Sequence, residues 1–71
     1  MLPSTLNGYP VIHSAPRDHD LLWVMCFRQD HPYHKFVVAT WSPHNPTEWS
    51  WGNYAEDLID AMRIWKSRVR P

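Results

Sequence analysis

Five histidines, His13, His19, His31, His34 and His44, and a single cysteine, Cys26, are the residues of this 71-residue chain best suited to metal or nucleophilic chemistry. His31-x-x-His34 is the tight pair, with Asp30 beside it, in a segment that reads as a turn. Structural zinc takes four Cys or His ligands at recurring spacings, and one cysteine several residues away does not complete such a set. The pair therefore reads as exposed loop histidines, with zinc on His31, His34 and a third ligand as the alternative. A catalytic cysteine needs a neighbouring base and an electropositive, partly exposed setting. Cys26 stands between Met25 and Phe27 and reads as a small buried hydrophobe. The chain has two glycines, Gly8 and Gly52, too few for a phosphate-cradling loop. Asp57 and Asp60 are three apart, which on the solvent side of a helix makes only a charged face. These readings predict no enzyme, no catalytic residue, no metal and no cofactor.

The elements that position these groups follow from composition and pattern. Seven basic and seven acidic residues cancel, which argues against a general electrostatic grip on nucleic acid or an anionic membrane. No stretch approaches the ~20 apolar residues of a membrane span, and the first ten residues lack the basic start and apolar centre of a signal peptide. The expectation is one small cytoplasmic domain over 9–71, with 1–8 as a flexible tail. A lone cysteine allows no internal disulfide, so stability has to come from packing.

Tyr9 to His13 is a short apolar run with Pro10 near its front, acceptable on an edge strand. Leu21 to Arg28 and Lys35 to Trp41 are the two strong strands, joined by a connection short enough for a hairpin. Ser42 to Trp51 reads as a loop. Gly52, Asn53 as N-cap and Glu56 three residues on read as a capping box, predicting a helix from Tyr54 to about Val69. Tyr54, Ala55, Leu58, Ala61, Met62, Trp65 and Val69 would share one face. Acids come early in that helix and Arg63, Lys66, Arg68 and Arg70 come late, which complements the dipole. The predicted fold is α+β: an antiparallel hairpin or three-stranded sheet in β-β-β-α order, with one C-terminal helix packed on one face.

Alternation splits the first strand into Leu21, Trp23, Met25, Phe27 and Leu22, Val24, Cys26, Arg28. The second splits into Phe36, Val38, Thr40 and Val37, Ala39, Trp41. Both faces of the sheet are apolar, whereas a sheet with one wet face alternates apolar and polar. One helix covers one face. The N-terminal arm, the Trp49/Trp51 loop or a second copy of the chain has to cover the other, and a homodimer is the expected solution.

Five tryptophans are the unusual feature of the composition. Trp and Tyr are enriched at interface hot spots. Trp49 and Trp51 in the loop, with one ring expected in and one out, together with Trp41 are the candidate partner-binding residues, along with the sheet face that the helix does not cover. The alternative partner is nucleic acid, contacted by Arg63, Lys66, Arg68 and Arg70 with an exposed tryptophan stacking on bases.

Trp23-Val24, Val37-Val38-Ala39-Thr40-Trp41, Trp51-Gly52-Asn53-Tyr54, Ala61 and Arg68 together resemble small uncharacterised accessory proteins of actinobacterial phages and prophages. The resemblance covers about Leu21 to Arg70, with Asn53 where those proteins frequently carry histidine. It implies no transferable site residues. It implies a protein that binds a host protein and modulates it without catalysing a reaction.

Overall fold

The structure, a computed structural model, describes residues 2–69. Its elements are β1 (Thr5–Leu6), β2 (Tyr9–Pro16), β3 (Leu22–Phe27), β4 (Phe36–Trp41), β5 (Trp49–Ala55) and α1 (Leu58–Arg68). The strands form one antiparallel sheet in the order β1-β2-β3-β4-β5, curled into a half-barrel, with the helix against β4 and β5. The α+β class and the single C-terminal helix match the sequence reading, while the strand count rises from three to five.

The two extra strands have separate physical origins. Leu6 pairs with Tyr9 across Asn7 and Gly8, whose φ angles are 52° and 82°. Two central residues at positive φ are what a two-residue hairpin turn of matching twist requires, and Asn-Gly supplies them at the least cost. The segment 1–8, read above as a tail, thus contains a paired strand, and Leu6 within it is fully buried. The other extra strand is β5, drawn from residues read above as loop and helix start. Its register with β4 runs Phe36↔Ala55, Val37↔Tyr54 and Val38↔Asn53, then Thr40↔Ser50 and Trp41↔Trp49. Two residues of advance on β4 are matched by three on β5, so Trp51 and Gly52 lie in a bulge.

The helix accordingly begins four residues later than predicted. Asp57 is its N-cap, with Oδ1 accepting from the Asp60 backbone N–H at 2.9 Å. That bond satisfies one of the donors that the first turn leaves without a helical partner. At the other end the Val69 N–H donates to the Trp65 carbonyl at 2.8 Å, and Lys66 and Arg68 complement the last turn.

Both faces of the sheet are buried, by the two rows anticipated. Val24, Cys26, Val37, Ala39 and Trp41 form one cluster with Leu6, against which Leu2, Tyr9, Val11, Leu22 and Trp49 pack. Met25 and Val38 form the other with Ala55, Ala61 and Trp65, flanked by Trp23, Phe36, Met62 and Ile64. The chain's own arm and the curl that brings Trp49 against Tyr9 (ring centroids 6.2 Å apart) close the face that the helix leaves open. An uncovered sheet face therefore no longer calls for a second copy. Among the described residues no helix is long and apolar enough to cross a membrane.

Candidate functional site

The bulge in β5 decides where the three candidate tryptophans go. Strand alternation places Trp49 on the same face as Trp41, its register partner. Trp41 is buried, and its Nε1 donates to the Pro46 carbonyl at 3.0 Å, tying down the β4–β5 loop. Trp49 is half-buried against Tyr9, with its Nε1 donating to the Tyr54 hydroxyl at 3.4 Å. Trp41 is core, which removes it as a partner-binding anchor, whereas Trp49 flanks that core and keeps part of its ring at the surface. Trp51 is 72% exposed, so the tryptophan pair does divide into one ring in and one ring out.

Without an extra residue Trp51 would continue the alternation onto the Trp49 face. It instead adopts φ 53°, a left-handed conformation that costs a bulky non-glycine residue on the order of 1–3 kcal/mol. The bulge swings its ring to the helix side, an instance of the re-aiming for which bulges recur beside binding sites. Gly52 makes the turn possible in another way. A Cβ there would stand 3.1 Å from the Tyr54 ring and 3.1 Å from Val37 Cγ2, a tight contact that these neighbours would have to relieve by shifting.

On the helix side Trp51 lines an open cleft of about 330 Å³ with Arg17, Trp23, Gly52, Asn53 and Arg68. Arg17 follows the end of β2, and its guanidinium carbon sits 4.4 Å from the centroid of Trp23 and 5.7 Å from that of Trp51. Its Nη1 donates to Thr40 Oγ1, on the buried hydroxyl of β4, and its Nε pairs with Asp18 Oδ1 at 3.4 Å. Arg68 enters from the last turn of α1, where its Nη2 donates to Asn53 Oδ1 at 3.3 Å. Asn53 Nδ2 in turn donates to the carbonyls of Val38 (3.4 Å) and Trp51 (3.5 Å).

The basic helix end does not form one surface. Arg68 lines this cleft, whereas Arg63 and Lys66 border a separate groove with Leu58, Ile59 and Met62. Arg63 also pairs with Asp60 at 3.4 Å. Arg70 lies outside the described residues.

The other chemistry-bearing residues are placed as follows. His31 and His34 sit in the β3–β4 connection with ring centroids 5.8 Å apart. His31 Nδ1 accepts from the backbone N–H groups of Tyr33 (3.3 Å) and His34 (3.0 Å), so that nitrogen serves the turn. Partial desolvation, followed by the nearby Arg28 charge, holds the His31 pKa below its usual value. Among the described residues no three His, Cys, Asp or Glu side chains gather as metal ligands. Cys26 is fully buried, and burial pushes its thiol up to about 12. Arg28 sits over Tyr54 at 4.8 Å and Tyr9 at 5.9 Å.

Arg17, Trp23, Gly52 and Asn53 are cleft residues that the sequence reading did not place in a functional site. The available signal was Trp51-Gly52 inside an apolar, aromatic run, since a glycine in a strand pattern marks a bulge. The chain matches no family model, no curated protein and no solved structure.

Proposed function

We propose that the chain is a small, non-enzymatic protein-interaction module that presents Trp51 as its anchor, with Trp23, Arg17 and Arg68 around it. One observation carries this reading: a large aromatic ring is held 72% exposed by a strained backbone that a buried tryptophan would not need. Strain of this kind collects where a side chain must be aimed for use. Trp and Arg are also the residues most often found at the centre of protein interfaces. The resemblance to phage accessory proteins supports the same reading, with a host protein as the partner and modulation of that protein as the outcome.

The test compares the chain with its Trp51→Ala variant as immobilised baits for proteins of a candidate host. The reading predicts a partner held by the parent and lost by at least tenfold in the variant, with unchanged far-ultraviolet circular dichroism. Equal capture by both baits contradicts it.

Nucleic-acid binding is the second reading, favoured by Arg68 and Trp51 lining one cleft. It is weaker because single-strand binding follows a continuous track of cations, and Arg63 and Lys66 border another groove. A saturable, salt-sensitive quench of tryptophan fluorescence by a twelve-nucleotide thymidine oligomer would promote it.

A further inference from the structure

We infer that the Trp51 cleft reads an acidic peptide segment, a carboxylate seated between Arg17 and Arg68 with a neighbouring flat or apolar side chain against Trp51. The inference rests on the cleft being the binding surface proposed above, and adds the chemistry of what enters it.

The donor set is the reason. Among the side chains lining the cleft, Asn53 Oδ1 is the one polar acceptor, and Arg68 already occupies it. Asn53 Nδ2 is turned to the Val38 and Trp51 carbonyls. What remains is the outward-facing N–H capacity of two guanidinium groups. Arg17 uses Nη1 on Thr40 and Nε on Asp18, leaving Nη2 without a partner among the described residues. Arg68 makes no ion pair among the described residues and spends one nitrogen on Asn53. Lining side chains that offer donors and no free acceptor favour an acceptor-rich, anionic group, and guanidinium forks match carboxylate geometry.

The aromatic wall sets the second requirement. Arg17 is fixed over Trp23, so the cation is held in place before a ligand arrives and less side-chain entropy is lost on binding. The exposed Trp51 ring is left to cover a ring or branched chain next to the carboxylate. A volume of about 330 Å³ is at the small end of ligand pockets and suits one or two side chains. Charge count favours a peptide over a polynucleotide. Two arginines, one beside Asp18, match one or two carboxylates and not a run of phosphates.

The experiment is selection from a bead-displayed library of random heptapeptides, with the parent chain, Trp51→Ala and Arg68→Gln as baits. The expected result is enrichment of sequences with Asp or Glu adjacent to an aromatic or branched residue. Their affinity should fall about tenfold or more in Arg68→Gln, as expected when a charged hydrogen bond is removed. Enrichment of neutral or basic sequences that bind Arg68→Gln undiminished, yet fail on Trp51→Ala, overturns the carboxylate inference while the Trp51 surface stands. Acidic sequences that bind Trp51→Ala as well as the parent overturn both, as does no enrichment at all. Arg68 is exposed, so its variant should keep the fold. A twelve-nucleotide thymidine oligomer forms the last arm. Competition of the oligomer with the selected peptides at micromolar concentration would move the ligand class to phosphate and overturn the peptide assignment.

Discussion

Arg17 and Thr40 are joined by a hydrogen bond from the guanidinium Nη1 to the hydroxyl, although twenty-three residues separate them in the chain. The bond crosses β3, the strand that lies between β2 and β4, and holds the arginine over Trp23 on its way. Thr40 is the single buried polar residue of the sheet, at 1% exposure, and this bond accounts for its presence. Replacing Thr40 by Val should cost about 1–2 kcal/mol in urea-induced unfolding, because the charged donor loses its acceptor. It should also change the Trp23 fluorescence as the cation is released. A variant as stable as the parent with an unchanged spectrum would mean that Arg17 is not held there.

The N-terminal arm is a structural lid and its anchor is Leu6. A Leu→Ala change at a fully buried site costs about 2–5 kcal/mol, a large share of what a domain this small possesses. Leu6→Ala should therefore lower the melting temperature sharply and expose surface that binds a hydrophobic dye. A free tail would tolerate the change within roughly 0.5 kcal/mol.

The two central strands and both of their apolar rows were legible in the sequence because alternation leaves a dense β-branched and aromatic signature. So was the need for a cover on the second face. The cover itself was not recognised because Asn7-Gly8 stands between a single apolar residue and a proline-bearing run, which hides its hairpin signal. The helix start was misplaced because Gly52, Asn53 and Glu56 imitate a capping box, while the working cap is Asp57. Tyr54 and Ala55 fit the helical stripe by spacing, but strand pairing with Val37 and Phe36 takes them. Nor did helical spacing fix the buried face, since Leu58 is half exposed whereas Ala61 and Trp65 are buried. The cleft was invisible for a related reason. It depends on a bulge, and a bulge changes the face of one side chain without changing the composition around it.

Trp51 and Gly52 should respond in opposite senses. Gly52→Ala drives a Cβ into the Tyr54 ring and Val37, and overpacking of this kind costs about 1–3 kcal/mol. Trp51→Gly relieves a left-handed non-glycine residue and should leave stability equal to the parent or higher by up to about 1 kcal/mol. Thermal melts of the two variants check the pair. A Trp51→Gly variant that is markedly destabilised would show the ring to be structural.

Cys26 gives a pH dependence. The unfolded thiol ionises near 9.0 and burial, which disfavours the thiolate, pushes the folded one up to about 12. Between these values the unfolded chain loses its proton first, so stability falls with rising pH by up to about 1.4 kcal/mol per unit. The contribution is fully present below pH 9.0. A Cys26→Ala variant lacks this term, so its stability deficit against the parent should shrink as pH rises from 9.0 towards 12. A deficit that stays constant across that window contradicts the shift. The same burial predicts that a thiol reagent at pH 8 labels the chain only after denaturant is added.

The placement of the Trp51 ring is what the functional account depends on, and proton-proton Overhauser contacts from the indole measure it directly. The account predicts contacts from the Trp51 ring to the Arg17 side chain, together with a positive φ at residue 51. Contacts from that ring to Trp49 and Tyr9, or helical amide contacts running from Asn53 through Asp57, would contradict it.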